Sequence, residues 1–218
     1  MKKPILFLLL SLCYLSPTFS QFKYGFKVGL NYSNIAFTTN GNTSNLNLFT
    51  PTGESDYLIS PHLGIFTTNY IGTRFSIEIN MLYSREGYKF DVPATEGTGR
   101  LVMHYINFPI VAGFNFLPKL KVALGPDIGY LLSANQKTEL GDVDATDFFS
   151  KDFKFGGILG ITYTLTENLD LDARYVHGIT RLNNSEEVIV TDGTGAALGV
   201  VQLKAKGQMF QLSLKYIL

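Results

Sequence analysis

The sequence predicts an all-β fold: an eight-stranded antiparallel up-and-down transmembrane β-barrel, laid out as a meander. Apolar and polar residues alternate with a period of two in one segment after another. That is the pattern of a strand whose two faces meet different surroundings. Glycine keeps almost wholly to the polar face, and short connections alternate with long polar ones.

The first strand is expected over 22–37, with Phe22, Tyr24, Phe26, Val28, Leu30 and Tyr32 on one face and Lys23, Gly25, Lys27, Gly29, Asn31 and Ser33 on the other. The second, 57–67, turns Tyr57, Ile59, Leu63 and Ile65 outward and Ser60, His62 and Gly64 inward. In the third, 74–88, Phe75, Ile77, Ile79, Met81 and Tyr83 oppose Ser76, Glu78, Asn80 and Ser84. The fourth, 103–116, sets Ile106, Phe108, Ile110, Phe114 and Phe116 against Asn107, Gly113 and Asn115. The fifth, 119–133, sets Leu120, Val122, Leu124, Ile128 and Tyr130 against Lys121, Gly125, Asp127 and Gly129. In the sixth, 152–165, Phe153, Phe155, Leu159, Ile161 and Tyr163 face away from Lys154, Gly156, Gly160 and Thr162. The seventh, 169–181, separates Leu169, Leu171, Ala173, Tyr175 and Ile179 from Asp170, Asp172, Arg174 and Gly178. The eighth, 206–218, separates Phe210, Leu212, Leu214 and Tyr216 from Gln211, Ser213 and Lys215.

Glycine sorting separates a barrel from a soluble sandwich. Gly25, Gly29, Gly64, Gly113, Gly125, Gly129, Gly156, Gly160 and Gly178 share the polar face, and Gly157 falls on the other. A barrel of about eight strands has an interior barely wide enough for side chains, so glycine there relieves crowding. A sandwich needs bulky residues on its inner face. The links near 68–73, 117–119 and 166–168 are short; those near 38–56, 89–102, 134–151 and 182–205 are long and polar, the arrangement of an outer-membrane barrel. Tyr24, Phe37, Tyr57, Tyr70, Phe75, Tyr105, Phe116, Tyr130, Tyr163 and Tyr175 lie near strand ends and suit its two aromatic girdles.

The ends and the composition bound the location. Met1, Lys2 and Lys3, the apolar run Ile5 to Leu12, and the small residues Thr18 and Ser20 read as a signal peptide over 1–20, cleaved after Ser20. Residues 21–218 then form one exported barrel domain in the cell outer membrane. Cys13, the single cysteine, falls inside that peptide, so the mature chain is expected to have no disulfide or thiolate chemistry. Formal net charge is zero, which argues against a nucleic-acid partner, since that requires a basic stripe. After residue 21 no run of 18 uncharged apolar residues offers a membrane-spanning helix. Strands can cross only by closing on themselves, because lipid leaves no unpaired backbone group satisfied.

The candidate functional cluster is the polar set facing the lumen: Lys27, His62, Glu78, Asp127, Lys154, Asp172, Arg174 and Lys215. Both signs are nearly balanced, so the reading is a plug of ion pairs rather than a solute path. Water-filled porin channels come with about 16 or more strands. His62, Glu78 and Ser84 supply the residue types of an acyl-transfer set, yet they face the lumen and no glycine-flanked nucleophile motif accompanies them. No enzyme activity is therefore expected. His104 and His177 lie on different strands without a carboxylate at ligand spacing, so neither a metal nor another cofactor is expected. The acidic run Asp142, Asp144, Asp147 and Asp152 lacks the glycine and terminal glutamate of a calcium loop.

Several stretches resemble the PorT-like outer-membrane β-barrels of the Bacteroidetes type. They are Phe75-Ser76-Ile77-Glu78-Ile79-Asn80-Met81-Leu82-Tyr83-Ser84-Arg85-Glu86-Gly87, Tyr105-Ile106-Asn107-Phe108-Pro109-Ile110 and Gly125-Pro126-Asp127-Ile128-Gly129-Tyr130-Leu131-Leu132. Ala173-Arg174-Tyr175, Gly178-Ile179-Thr180 and Phe210-Gln211-Leu212-Ser213-Leu214-Lys215-Tyr216 are similar too. Leu218 departs from the pattern, since an aromatic residue often closes such barrels. The resemblance implies an eight-stranded barrel inserted from the periplasm, and its namesake is tied to protein secretion. The expected role is structural or interactive, with outer-membrane lipid and, through the loops, secretion or envelope proteins as partners, in a monomer. An accessory part of a secretion system, a narrow solute channel and a lipid-modifying barrel are the alternatives.

Overall fold

The computed structural model describes residues 22–40, 56–92, 97–139, 141–146, 153–180, 182, 187–191 and 197–218. The proposed signal peptide, its cleavage point and Cys13 lie outside them, as do Asp147 and Asp152. The described residues contain no helix long and apolar enough to cross a membrane.

The strands are β1 (Phe22–Asn40), β2 (Asp56–Ile71), β3 (Phe75–Val92), β4 (Gly97–Asn107), β5 (Ile110–Leu117), β6 (Leu120–Thr138), β7 (Gly141–Asp144), β8 (Phe153–Thr164), β9 (Leu169–Gly178), β10 (Glu187–Thr191) and β11 (Ala197–Ile217). Neighbours pair antiparallel in chain order, and β1 pairs with β11 from Gly25↔Ile217 to Asn40↔Gln202, which closes the sheet. β4 and β5 both pair with β3 and β6, so together they are one stave interrupted at Phe108–Pro109. Pro109 has no N–H to give the ladder; its carbonyl still accepts from Asn80 N at 2.9 Å. β7 and β10 are short additions paired to β6 and β11. Among the described residues the barrel thus has eight staves, as the alternation predicts.

Both described ends of the chain sit at the end of the barrel that carries the tight turns, where Leu218 N donates to Tyr24 O at 3.0 Å. At the opposite end the strands run further than the sequence reading placed them. The expected long loop over 89–102 is mostly a hairpin, with Val92↔Gly97 as its last described pair. Alternation continues into it, since Tyr88, paired with Leu101, packs against the inward cluster that holds Leu101 and Met103.

The distribution of side chains is the reverse of a soluble protein. Large apolar residues such as Phe26, Leu63, Ile79, Leu124, Leu159 and Leu212 are exposed on the outer wall, while Lys27, Glu78, Asp172, Arg174 and Lys215 are buried. Glycine follows the same logic. A Cβ added at Gly113 would stand 2.5 Å from Ser76 Oγ and 2.9 Å from Lys121 Cδ, and one at Gly29 would stand 2.7 Å from His62 Cε1. At Gly157, on the outer wall, it would meet nothing within 4 Å. Inward glycines therefore make room for the long polar side chains that fill the bore.

Candidate functional site

All eight residues of the predicted polar cluster lie on the inner wall, but the structure gathers five of them in one group and Asp127 and Lys154 in a second, while His62 bonds Ser213 and joins neither. Strand alternation sets this up. Lys27 on β1, Glu78 on β3, Asp172 and Arg174 on β9 and Lys215 on β11 all occupy inward positions near the turn end. Glu78 is the hub. It accepts from Arg174 Nη2 at 2.6 Å, Lys215 Nζ at 2.5 Å and Thr68 Oγ1 at 3.2 Å, and Lys121 Nζ lies 3.5 Å away. Asp172 is the second anion, accepting from Lys27 Nζ at 2.6 Å and Thr162 Oγ1 at 2.7 Å. Arg174 Nε stands 2.7 Å from Asp172 as an ion pair without hydrogen-bond alignment, so Arg174 ties the two carboxylates together. Lys215 Nζ also sits over the Phe66 ring, 4.4 Å from its centroid.

The second group stands further along the bore. Lys154 on β8 pairs with Glu86 on β3, and its Nζ lies 4.2 Å from the Tyr105 ring centroid. Glu86 also accepts from Asn107 Nδ2 at 2.9 Å and Ser84 Oγ at 3.2 Å. Asp127 is 2 % exposed and lines a cavity of about 30 Å³ with Glu86 and Lys154. Its Oδ1 has no hydrogen-bond partner among the described residues. Above this group the lumen turns apolar: Ile35, Leu101, Met103, Tyr105, Leu131, Ala134 and Leu182 pack together across the bore.

Several details differ from the sequence reading. Tyr105 points into the lumen and is 2 % exposed rather than joining a girdle, because Leu101, Met103 and Tyr105 share the inward face of β4. Tyr70 likewise alternates with the inward Phe66 and Thr68. Phe37's side chain lies outside the described residues. Glu86 and the apolar plug were missed. The signal was present in Leu101-Val102-Met103, where apolar residues occupy both faces at once.

His62, Ser84 and Glu78 do not assemble as an acyl-transfer set. His62 Nε2 bonds Ser213 Oγ at 2.8 Å, Ser84 bonds Asn31 and Glu86, and Glu78 is held by Arg174 and Lys215. His62 Nδ1 has no partner among the described residues, so no carboxylate orients the ring as a general base requires. Among the described residues no group of three or more His, Cys, Asp or Glu side chains converges as a metal site needs. In the acidic run, Asp142 pairs with Lys137 at 3.1 Å, and Asp144 accepts from Thr146 N at 2.8 Å and Thr146 Oγ1 at 2.6 Å. These bonds hold the Asp144 carboxyl below its ordinary range.

Residues 16–184 match the family described as outer membrane protein beta-barrel domain. The chain belongs to that family. Solved structures are also similar to the chain. Ail, the attachment invasion locus protein of Yersinia pestis, is 11% identical over 91% of this chain and 99% of its own, with a TM-score of 0.44. Neisserial surface protein A is 15% identical over 91% and 98%, with a TM-score of 0.44. Outer membrane protein W of E. coli is 16% identical over 88% and 97%, with a TM-score of 0.31. No curated protein matches the sequence.

Proposed function

We propose that this protein is a non-enzymatic outer-membrane barrel with a structural or interactive role, working at its outer surface and not through its bore. The observation that supports this reading most is the filled lumen. The Glu78 and Asp172 ion network occupies the turn end, and the Leu101, Met103, Tyr105 and Leu131 plug occupies the other. A solute would have to break several buried ion pairs and an apolar contact in series. Desolvated charges stay where they are only while paired, so opening the network exposes several uncompensated groups at once. A single chain closes the barrel through β1 and β11 and leaves no stave edge to pair with another copy, which supports a monomer.

Planar-bilayer recording of the purified barrel tests this reading. No discrete conductance steps are expected. Reproducible single-channel steps from the folded protein would overturn it and favour the narrow channel. The resemblance to PorT-like barrels at Phe75–Gly87 and Tyr105–Ile110 favours, as a second reading, an accessory part of a protein secretion system. Its mark would be a secretion component that copurifies stoichiometrically from crosslinked membranes.

A further inference from the structure

The second polar group fills one layer of the bore, and apolar side chains close that layer on both sides. Toward the turn end lie Val111, Ala123, Ile158, Val176 and Met209. Toward the other end lies the plug that contains Leu101, Met103 and Tyr105. Between them the inner wall is bare beside Asp127. Asp127 is opposite Gly156, and Gly156 is opposite Gly178. Gly178 lies against Gly207, whose carbonyl oxygen would stand 2.7 Å from a Cβ at Gly178. Three successive staves, β8, β9 and β11, thus contribute no side chain there. The space they leave is the cavity of about 30 Å³. A water-sized species needs about 10–15 Å³ of such space, so the cavity holds roughly two.

Among the described residues this layer is short of one positive charge. It contains two carboxylates, Asp127 and Glu86, and one ammonium, Lys154. Lys154 is committed elsewhere: its Nζ pairs with Glu86 and sits over the Tyr105 ring. Asp127 takes part in none of the bore's ion pairs among the described residues, and its Oδ1 accepts no hydrogen bond from them. Lys154 attracts it from a distance and Glu86 repels it. Arg174 and Lys27 act on it from beyond the apolar layer, and both are themselves held, by Glu78 and Asp172. A carboxylate shut between apolar layers is costly unless a positive partner meets it.

We infer that this cavity binds one monovalent alkali cation, sodium or potassium, against the Asp127 carboxylate. A single charge balances the layer, and a divalent ion would overshoot it by one. The polar part of the wall carries oxygen-bearing groups from Asp127, Glu86, Ser33, Thr180 and Gln208, and no histidine or cysteine lines it. Such donors suit hard cations. A site for a transition metal needs His, Cys or carboxylate side chains converging in threes, and the described residues hold none. Water alone would fit the volume and leave the charge unmet. Both sides of the layer are closed, so the cation enters as the barrel folds and exchanges only when an apolar layer opens. The inference goes beyond the proposed role at the outer surface and rests on the closed barrel alone.

The test is urea unfolding of the full-length protein, refolded in detergent with sodium, potassium or choline chloride at matched ionic strength. Choline carries one positive charge but is too large for the cavity. Sodium or potassium should raise the unfolding midpoint over choline, and the rise should level off with concentration. A cation that binds only the folded state shifts the folding constant about tenfold when present at about ten times its Kd. Asp127→Asn should remove the response. Gly207→Ala should remove most of it while keeping every charge, because its methyl group stands in the cavity wall. A Cβ there meets only Leu182 Cδ1, at 3.6 Å, so this variant is expected to fold. Heat-dependent gel mobility first shows that each variant is folded, and if Asp127→Asn is not, Gly207→Ala decides. A wild-type midpoint that is the same in all the salts would overturn the proposal and leave the cavity to water. So would a response kept in full by a folded variant, since that places the effect outside the cavity. A wild-type chain without any heat-dependent mobility shift would overturn the closed barrel, and the cavity with it.

Discussion

Glu78 shows how much of the interior depends on single side chains. It faces three cations at hydrogen-bond or ion-pair distance, and all lie out of water. Glu78→Gln keeps the shape but removes the charge, leaving Lys121, Arg174 and Lys215 short of an anion. A cost of about 3–5 kcal/mol is expected, the range for breaking a buried pair from one side. Urea unfolding of the folded protein in liposomes measures it. The outer wall obeys the opposite rule. Leu124 is 65% exposed on the lipid face, and Leu124→Arg should cost about 2–4 kcal/mol near the bilayer midplane. Gly125→Leu should reduce folding yield sharply, because a Cβ there meets the Ile110 carbonyl and stands 2.8 Å from Val111 Cα. Gly157→Ala, with nothing within 4 Å, should be silent in the same refolding assay.

At the scale of the element, strand faces were legible in the sequence and strand ends were not. Period-two alternation assigns Lys27, His62 and Arg174 inward without any structure, because a one-residue slip would put every one of them into lipid. The extension of β3 and β4 to Val92 and Gly97 was hidden for a reason of the same kind. Beyond the bilayer the outer face meets water, so Lys89 and Arg100 replace apolar residues and the alternation fades, although Tyr88 and Leu101 still pack inside. Tyr105 was misplaced because an aromatic near a strand end suits a girdle and a plug equally by composition. The pairing partners within the lumen were illegible: Glu86 meets Lys154 across the bore, a closeness that only barrel closure creates. The β6–β7 hairpin makes a pH-dependent prediction. Asp144 is held ionised by Thr146, so its folded value lies below its unfolded one. Its contribution is present above the unfolded value and lost as pH falls through the folded one. Exchange of the Ala145 amide, which bonds Ala134 O at 2.9 Å, should quicken over that acid range in the wild type and show no such dependence in Asp144→Asn.

Across the whole molecule the two walls explain each other. The bore accepts charges because Gly29, Gly113 and Gly129 yield the space and because opposite signs meet there. Lipid accepts the outside because every stave presents apolar residues and the β1–β11 seam pairs the last free edges. The family match and the closed sheet agree on an outer-membrane barrel. A closed barrel resists detergent at room temperature and opens only on heating, so its compact and extended forms migrate differently. The most direct measurement is gel mobility, with and without boiling, of the protein recovered from outer-membrane fractions. The account predicts recovery in that fraction and a clear mobility shift on boiling. Recovery as a soluble protein with unchanged mobility would contradict it and make the aromatic wall the core of a secreted β-sandwich.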